Sequence, residues 1–208
     1  MSHPLLKRLS SYIPKTDQQT AISSAVLILL LCENEEPQEI VLIKRPQNIS
    51  TYAGDVCFPG GLKEECDSNL LATALRETKE EIGVQVPPQS IIGCCDDFYD
   101  VRQQLVRPYI AVMDKQLLTL DKSNESATFS DEVEKIYFLP INKLLQLKID
   151  TENKKPSFRK PSYIYEDKEL FIWGLTASIL AQLSNIINNC KYEIGHKIDF
   201  SLIRKNTP

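Results

Sequence analysis

Histidine and tryptophan are scarce in this 208-residue chain, which has two of the first and one of the second. Its six cysteines, Cys32, Cys57, Cys66, Cys94, Cys95 and Cys190, include no C-x-x-C pair. A Cys/His zinc centre and a dithiol redox motif are therefore not expected. Isolated cysteines, with no secretory-leader pattern at the N-terminus, point to reduced thiols and a cytoplasmic location. Long hydrophobic runs are missing too. The longest, Ala25 to Cys32, has eight residues, against about 20 for a membrane helix. A basic excess is also lacking: 24 Lys and Arg face 28 Asp and Glu, for a net charge of −4. That weighs against a general polyanion binder, but one local site could still hold a phosphate-bearing small molecule. Internal repeats and low-complexity segments are absent.

What is present suits one soluble domain, 1–208, with a core over about 20–190, a short N-terminal helix and a C-terminal tail. A chain of this length can bury about 70% of its unfolded surface and needs neither disulfide nor metal to hold a core. Residues 3–12 suit a short amphipathic helix. Residues 21–32 and 39–45 read as a strand pair joined by a polar turn at Glu33–Pro37. A Pro- and Gly-containing loop follows from Pro46 to Gly61. The clearest helix spans about Asn69 to Ile82, with N-cap candidates at Asp67, Ser68 and Asn69 and Gly83 just past its end. Strands are expected over 89–99, 104–113 and 132–139, loop over 114–131 and a helical turn over 140–147. A charged loop over 150–161 precedes a hairpin over 163–173, turning near Asp167–Lys168, and a last helix over 174–189. Helices and strands interleave without a regular βαβ alternation, which predicts an α+β, mixed-sheet layer fold.

The predicted helix carries an unusual charge pattern. Glu77, Glu80 and Glu81 fall three and four residues apart and so converge within about one turn. Like charges at that spacing repel, and something should compensate. Arg76, four before Glu80, is one candidate. A hard divalent cation, which prefers oxygen ligands, is another. A Glu-rich helix is more often a solvated face. The upstream Phe58-Pro59-Gly60-Gly61 shifts that balance, because paired glycines let a backbone approach a ligand closely.

Gly60-Gly61, Arg76-Glu77, Glu80-Glu81 and Gly83-Val84 resemble the Nudix box of hydrolases that cleave nucleoside diphosphates linked to another group. The ending Arg-Glu-x-x-Glu-Glu-x-Gly-aliphatic is complete. The interval from Gly61 to Arg76 is one residue longer than usual, and the early acid is blurred among Glu64, Glu65 and Asp67. The longer interval is similar to the branch that hydrolyses coenzyme A. That branch's upstream motif is matched at Arg45, Gly54 and Phe58-Pro59-Gly60-Gly61. It is departed from at Ile43 (usually Thr), Pro46 (usually Ser) and Ser50 (usually Arg). Val106-Arg107-Pro108-Tyr109 and Ile172-Trp173-Gly174-Leu175-Thr176-Ala177 are similar to the same branch.

The resemblance implies an α/β/α sandwich with a mixed central sheet and a loop–helix–loop catalytic motif. It also implies hydrolysis of a pyrophosphate bond with Mg²⁺ or Mn²⁺ as cofactor. Glu77 and Glu81 are the expected metal ligands, with Glu80 second and the Gly61 carbonyl as a further ligand. Arg76 is expected to orient the glutamates. Among Asp131, Glu132 and Glu134, Glu132 is favoured as general base. Arg45 and Arg107 are candidates for holding phosphates. The cluster Asp96, Asp97 and Asp100 could face the cleft or form a solvated turn. Lys154, Lys155, Arg159 and Lys160 read as a solvated basic loop ahead of a phosphate site. Trp173 reads as core packing ahead of base stacking, and no cysteine is given a nucleophilic role. The expected partner is a small-molecule substrate, coenzyme A or another nucleoside diphosphate, with no nucleic acid and no membrane; a homodimer is compatible. Residues 61–81 hold six acids and three bases, −3 of the chain's −4, so an anionic substrate would be met through cations.

Overall fold

The structure, a computed structural model, describes residues 3–17, 23–48, 52–118, 130–146, 148–150, 162–166 and 170–188. The order is α1 (Pro4–Ser10), β1 (Ser23–Glu33), β2 (Glu36–Lys44), β3 (Val56–Cys57), β4 (Gly60–Leu62), α2 (Leu70–Ile82), β5 (Ile91–Cys94), β6 (Phe98–Tyr99), β7 (Leu105–Asp114), β8 (Lys135–Pro140), β9 (Lys148–Asp150), β10 (Ser162–Glu166), β11 (Phe171–Ile172) and α3 (Gly174–Asn188). Among the described residues, eight strands form one sheet, with β3-β2-β1-β7-β5 as its spine and β4, β6 and β8 attached to β1, β7 and β2. β1 runs parallel to β7 and antiparallel to β2 and β4, so the sheet is mixed. A smaller sheet orders β11-β10-β9.

β1 is a nearly continuous apolar run because it is buried on both faces. Side chains alternate between those faces. Ala25, Leu27, Leu29 and Leu31 join Val41 and Ile43 under α2, which contributes Ala74 and Ile82. Ile28, Leu30 and Cys32 join Ile40 and Leu42 on the other face, against Leu6 and Leu9 of α1 and Ala177, Leu180 and Leu183 of α3. Helices thus cover both faces of a mixed sheet, the α/β/α layering and α+β class expected. Each fully buried Leu or Ile contributes about 1.5–3 kcal/mol of apolar burial.

Several elements differ from expectation. The β1–β2 reversal is tighter, taking Asn34 and Glu35 through φ 52° and 65°. Pro37 lies inside β2, opposite Cys32, where the register slips after Leu31; a bulge tolerates the missing N–H. The loop expected over 46–61 ends in two short strands, β3 and β4. The strand expected over 89–99 is broken. A 3₁₀ turn covers Pro88–Ser90, and beyond β5 the backbone turns to other partners. The Asp96 N–H donates to Gln182 Oε1 at 3.1 Å and the Asp97 N–H to the Lys15 carbonyl at 3.0 Å. The strand expected from 132 starts at Lys135, and 140–147 contains a 3₁₀ helix, Ile141–Gln146. The hairpin over 163–173 forms as β10 and β11, but its turn lies outside the described residues, as do 151–161 and Cys190.

Helix α2 begins and ends where its caps dictate. Asn69 Oδ1 accepts the Ala72 N–H at 2.9 Å, and Gly83 closes the helix at φ 71°, a left-handed position that glycine takes readily. β4 approaches β1 closely at Gly60. Gly60 has φ 150°, and a Cβ there would fall 2.3 Å from the Ala25 carbonyl oxygen. Gly60→Ala should therefore destabilise the protein by about 3 kcal/mol, read as a lowered urea midpoint; a loss under about 0.5 kcal/mol, the range of neutral surface changes, would contradict this packing.

Candidate metal and phosphate site

Strand β4 places the Gly60-Gly61 backbone against the α2 face that carries Glu77 and Glu81. The Gly60 N–H donates to Glu81 Oε2 at 2.9 Å. A Cβ on Gly61 would lie 2.4 Å from Glu77 Oε1, so the second glycine makes room for that carboxylate. Glu81 is 3% exposed and belongs to the buried stripe of α2 with Ala74, Thr78 and Ile82. Burial, the nearby Glu77 and the more distant Glu132 push its carboxyl up to about 8, against the opposing Gly60 hydrogen bond and Arg45. Burial also raises Glu77, opposed chiefly by Arg76.

Arg76 holds this arrangement from the loop side. Its Nε and Nη2 fork onto the two oxygens of Asp67, each at 3.0 Å. Nη2 also donates to the Leu62 carbonyl at 3.2 Å. Nη1 meets Glu77 Oε1 at 3.0 Å and Glu80 Oε2 at 2.9 Å. Asp67 is buried and further accepts the Glu64 N–H and the Thr73 hydroxyl, at 2.9 and 3.0 Å. These bonds, Arg76 first, hold its carboxyl down at about 2. The sequence alone does not separate Asp67 from Glu64 and Glu65; its position immediately before the Ser68-Asn69 cap lets the helix start turn it back toward Thr73 and Arg76.

Three carboxylates on one turn do not all converge. Glu80 turns outward onto Arg76 and is more than half exposed, while Glu77 and Glu81 lie inward. Among the described residues, no three His, Cys, Asp or Glu side chains form a ready-made metal cage. The donor set nevertheless fits Mg²⁺ or Mn²⁺. Such ions take one or two carboxylates, backbone oxygen and water, and leave positions for substrate phosphates. A pocket that favours a proton on Glu81 over bare charge also favours a cation.

Arg45, at the end of β2, reaches the same pocket. Its Nη1 is 3.7 Å from Glu81 Oε1 and its Nη2 is 3.1 Å from Glu132 Oε2. Glu132 is positioned by a turn, Val133 N–H to Ser130 carbonyl at 3.0 Å, and by the Glu134 N–H donating to the Lys44 carbonyl at 2.8 Å. Glu134 itself pairs with Lys44, and Asp131 is exposed.

Arg107, a candidate phosphate contact, forks onto Asp97, both bonds at 2.7 Å. Asp96 and Asp97 do not form a solvated turn. Both are buried and clasp the segment preceding β1. Asp96 accepts Tyr12 Oη at 2.7 Å and the Lys15 N–H at 2.8 Å; Asp97 accepts the Asp17 N–H at 2.6 Å. Asp100 caps its own turn through the Arg102 and Gln104 N–H groups and accepts Tyr52 Oη at 3.1 Å. Trp173 is half-buried and donates its indole N–H to Asp55 at 3.1 Å. Burial raises the Cys57 thiol to about 12, which leaves it a poor nucleophile. Ser50 and the basic residues 154–160 lie outside the described residues.

A NUDIX domain model matches residues 22–160. The chain is 29% identical to an uncharacterized Nudix hydrolase NudL of Pectobacterium atrosepticum, over 77% of this chain and 80% of that protein. It is 31% identical to the human mitochondrial coenzyme A diphosphatase NUDT8, over 76% of this chain and 66% of that protein, so it spans about two thirds of the human relative. Among solved structures, a MutT/nudix family protein from Enterococcus faecalis aligns with a TM-score of 0.48 and 18% identity, over 78% of this chain and 54% of that one.

The Asp67–Arg76 fork makes a pH-dependent prediction. Because the folded-state pKa of Asp67 lies below the unfolded value of about 3.9, its stabilisation is full above that value and is lost as pH falls toward 2. Asp67→Asn should cost about 2 kcal/mol at pH 7 and progressively less below pH 4. Urea denaturation of both proteins at pH 7 and pH 3 measures this; an equal gap at both values would contradict it.

Proposed function

This chain belongs to the Nudix family, and from that premise we propose that it hydrolyses the pyrophosphate bond of coenzyme A or an acyl-coenzyme A. The products are adenosine 3′,5′-bisphosphate and 4′-phosphopantetheine or its acyl form. The observation that carries the reading is the inward Glu77–Glu81 pair seated on Gly60-Gly61, with Arg45 beside it. The coenzyme A assignment is supported by the upstream motif at Arg45, Gly54 and Phe58-Pro59-Gly60-Gly61, and by the human relative.

Glu77, Glu81 and the Gly61 carbonyl would hold Mg²⁺ or Mn²⁺, with Glu80 as a more distant ligand through water. Such an ion, when bound, neutralises the diphosphate and acidifies a bound water. Arg76 fixes the Glu77 and Glu80 rotamers and ties them to the β4 loop. Arg45 offers its planar fork to a phosphate oxygen. Glu132 accepts a proton from the attacking water as a phosphorus–oxygen bond of the anhydride breaks and the leaving phosphate departs. Arg107 braces the segment leading into β1 through its fork onto Asp97. A cytoplasmic setting for the protein, with neither nucleic acid nor membrane as partner, is part of the same proposal. Among the described residues, no helix is long and apolar enough to cross a membrane.

The test is a substrate panel with Mg²⁺ or Mn²⁺, comprising coenzyme A, acyl-coenzyme A, ADP-ribose and nucleoside triphosphates, read by chromatography. Release of adenosine 3′,5′-bisphosphate at the highest kcat/KM supports the proposal. Preference for ADP-ribose or a triphosphate would overturn the coenzyme A assignment, and no cleavage of any diphosphate would overturn the enzyme reading. Glu81→Gln should lower kcat by about 100-fold or more, as loss of a group stabilising developing charge does, while circular dichroism stays native; near-normal turnover would remove Glu81 from the site.

A further inference from the structure

Two guanidinium groups serve the site, and they are engaged in different ways. Arg76 meets Asp67, Leu62, Glu77 and Glu80. Arg45 has looser ties. Its Nη1 stands 3.7 Å from Glu81, beyond hydrogen-bond length, and its Nη2 is bonded to Glu132, which is itself more than half exposed. Its Nε is buried with no hydrogen-bond partner among the described groups, and a buried donor left unpaired is costly. The backbone beneath it is fixed: the Arg45 N–H donates to the Asp55 carbonyl at 2.9 Å and its carbonyl accepts the Gly54 N–H at 3.1 Å. Any change of partner therefore falls to the side chain.

We infer that Arg45 is the resident counter-cation of the metal seat: it neutralises Glu81 and Glu132 before a divalent ion binds, and moves onto a substrate phosphate once ion and substrate are in place. The inference rests on the proposed function for its second half only. Its first half follows from charge. Glu77, Glu81 and Glu132 are three carboxylates around one pocket, and Arg45 is the cation set between two of them, 3.7 Å from Glu81 and 3.1 Å from Glu132. A divalent ion entering beside Glu81 meets that guanidinium as a like charge, and like charges a few ångströms apart in a poorly solvated pocket repel strongly. A diphosphate supplies the negative charge that takes the guanidinium over and satisfies its forked donors. The same transfer releases Glu132, so its carboxylate becomes available to accept a proton only when a phosphate occupies Arg45.

The experiment is Mn²⁺ titration of the purified full-length protein without substrate, followed by the electron paramagnetic resonance of free Mn²⁺. R45Q should bind Mn²⁺ on the order of ten-fold more tightly than the wild type. By linkage, R45Q should be less stable than the wild type in EDTA and gain more from saturating Mn²⁺. At saturating Mn²⁺ the variant should show a raised KM for its diphosphate substrate. R45K keeps the charge on a shorter reach; it should bind Mn²⁺ more tightly than wild type but less tightly than R45Q, and it decides the matter if R45Q does not fold. Unchanged or weaker Mn²⁺ affinity in the variants, or no Mn²⁺ binding by any of the proteins, overturns the inference. Because the titration contains no substrate, a failure to hydrolyse coenzyme A would overturn the substrate reading and leave this result standing.

Discussion

A buried carboxylate, Glu81, and a half-buried one beside it, Glu77, set against a glycine backbone are the constraint around which the rest of this structure is arranged. Glu77 and Glu81 sit on the inner face of α2, where a helix ordinarily presents aliphatic side chains. Their charge has to be met locally, because solvent does not reach Glu81. The Gly60 N–H meets one oxygen of Glu81, Arg76 meets Glu77, and Arg45 stands beside the rest. These groups do not balance the pair: burial still raises both carboxyls. That residual imbalance is what a divalent cation would relieve, and it is the physical basis of the proposed chemistry.

The sandwich supplies the rigidity this arrangement needs. β1 runs through the centre of the sheet and binds β4 on one side of its first residues and β7 on the other. Ala25 is therefore in register with both Gly61 and Arg107. On the β4 side the backbone approaches α2 through glycines. On the β7 side Arg107 and the buried Asp96 and Asp97 clasp the segment leading into β1. The end of β2 adds Arg45, and the residues before β8 add Glu132. The site is thus assembled from elements far apart in sequence but adjacent at one end of the sheet.

Much of this was legible in the residues. The α2 helix could be placed because its signals are local: Asn69 and Gly83 are caps with defined backbone chemistry, and the apolar period between them is helical. The buried character of β1 followed from its unbroken aliphatic run. The Glu77–Glu81 pair was legible because a helix fixes which side chains share a face. The inward turn of Glu81 and the outward turn of Glu80 were not, since rotamers answer to Arg76 and to burial. Short strands such as β4 carry no periodic signal, and their existence depends on a partner, here β1. Arg107 and Asp97 illustrate the same limit. The buried carboxylate that the fold brings to Arg107 leaves no local signal around the arginine.

The proposed chemistry requires the Glu77–Glu81 pair to be a cation seat. The most direct measurement is an anomalous difference map from crystals grown with Mn²⁺. A peak is expected within about 2.0–2.3 Å of a Glu77 and a Glu81 carboxylate oxygen, with the Gly61 carbonyl turned toward it. A fully occupied Mn²⁺ bound elsewhere, or crystals saturated with Mn²⁺ that show no density between these two glutamates, would contradict it.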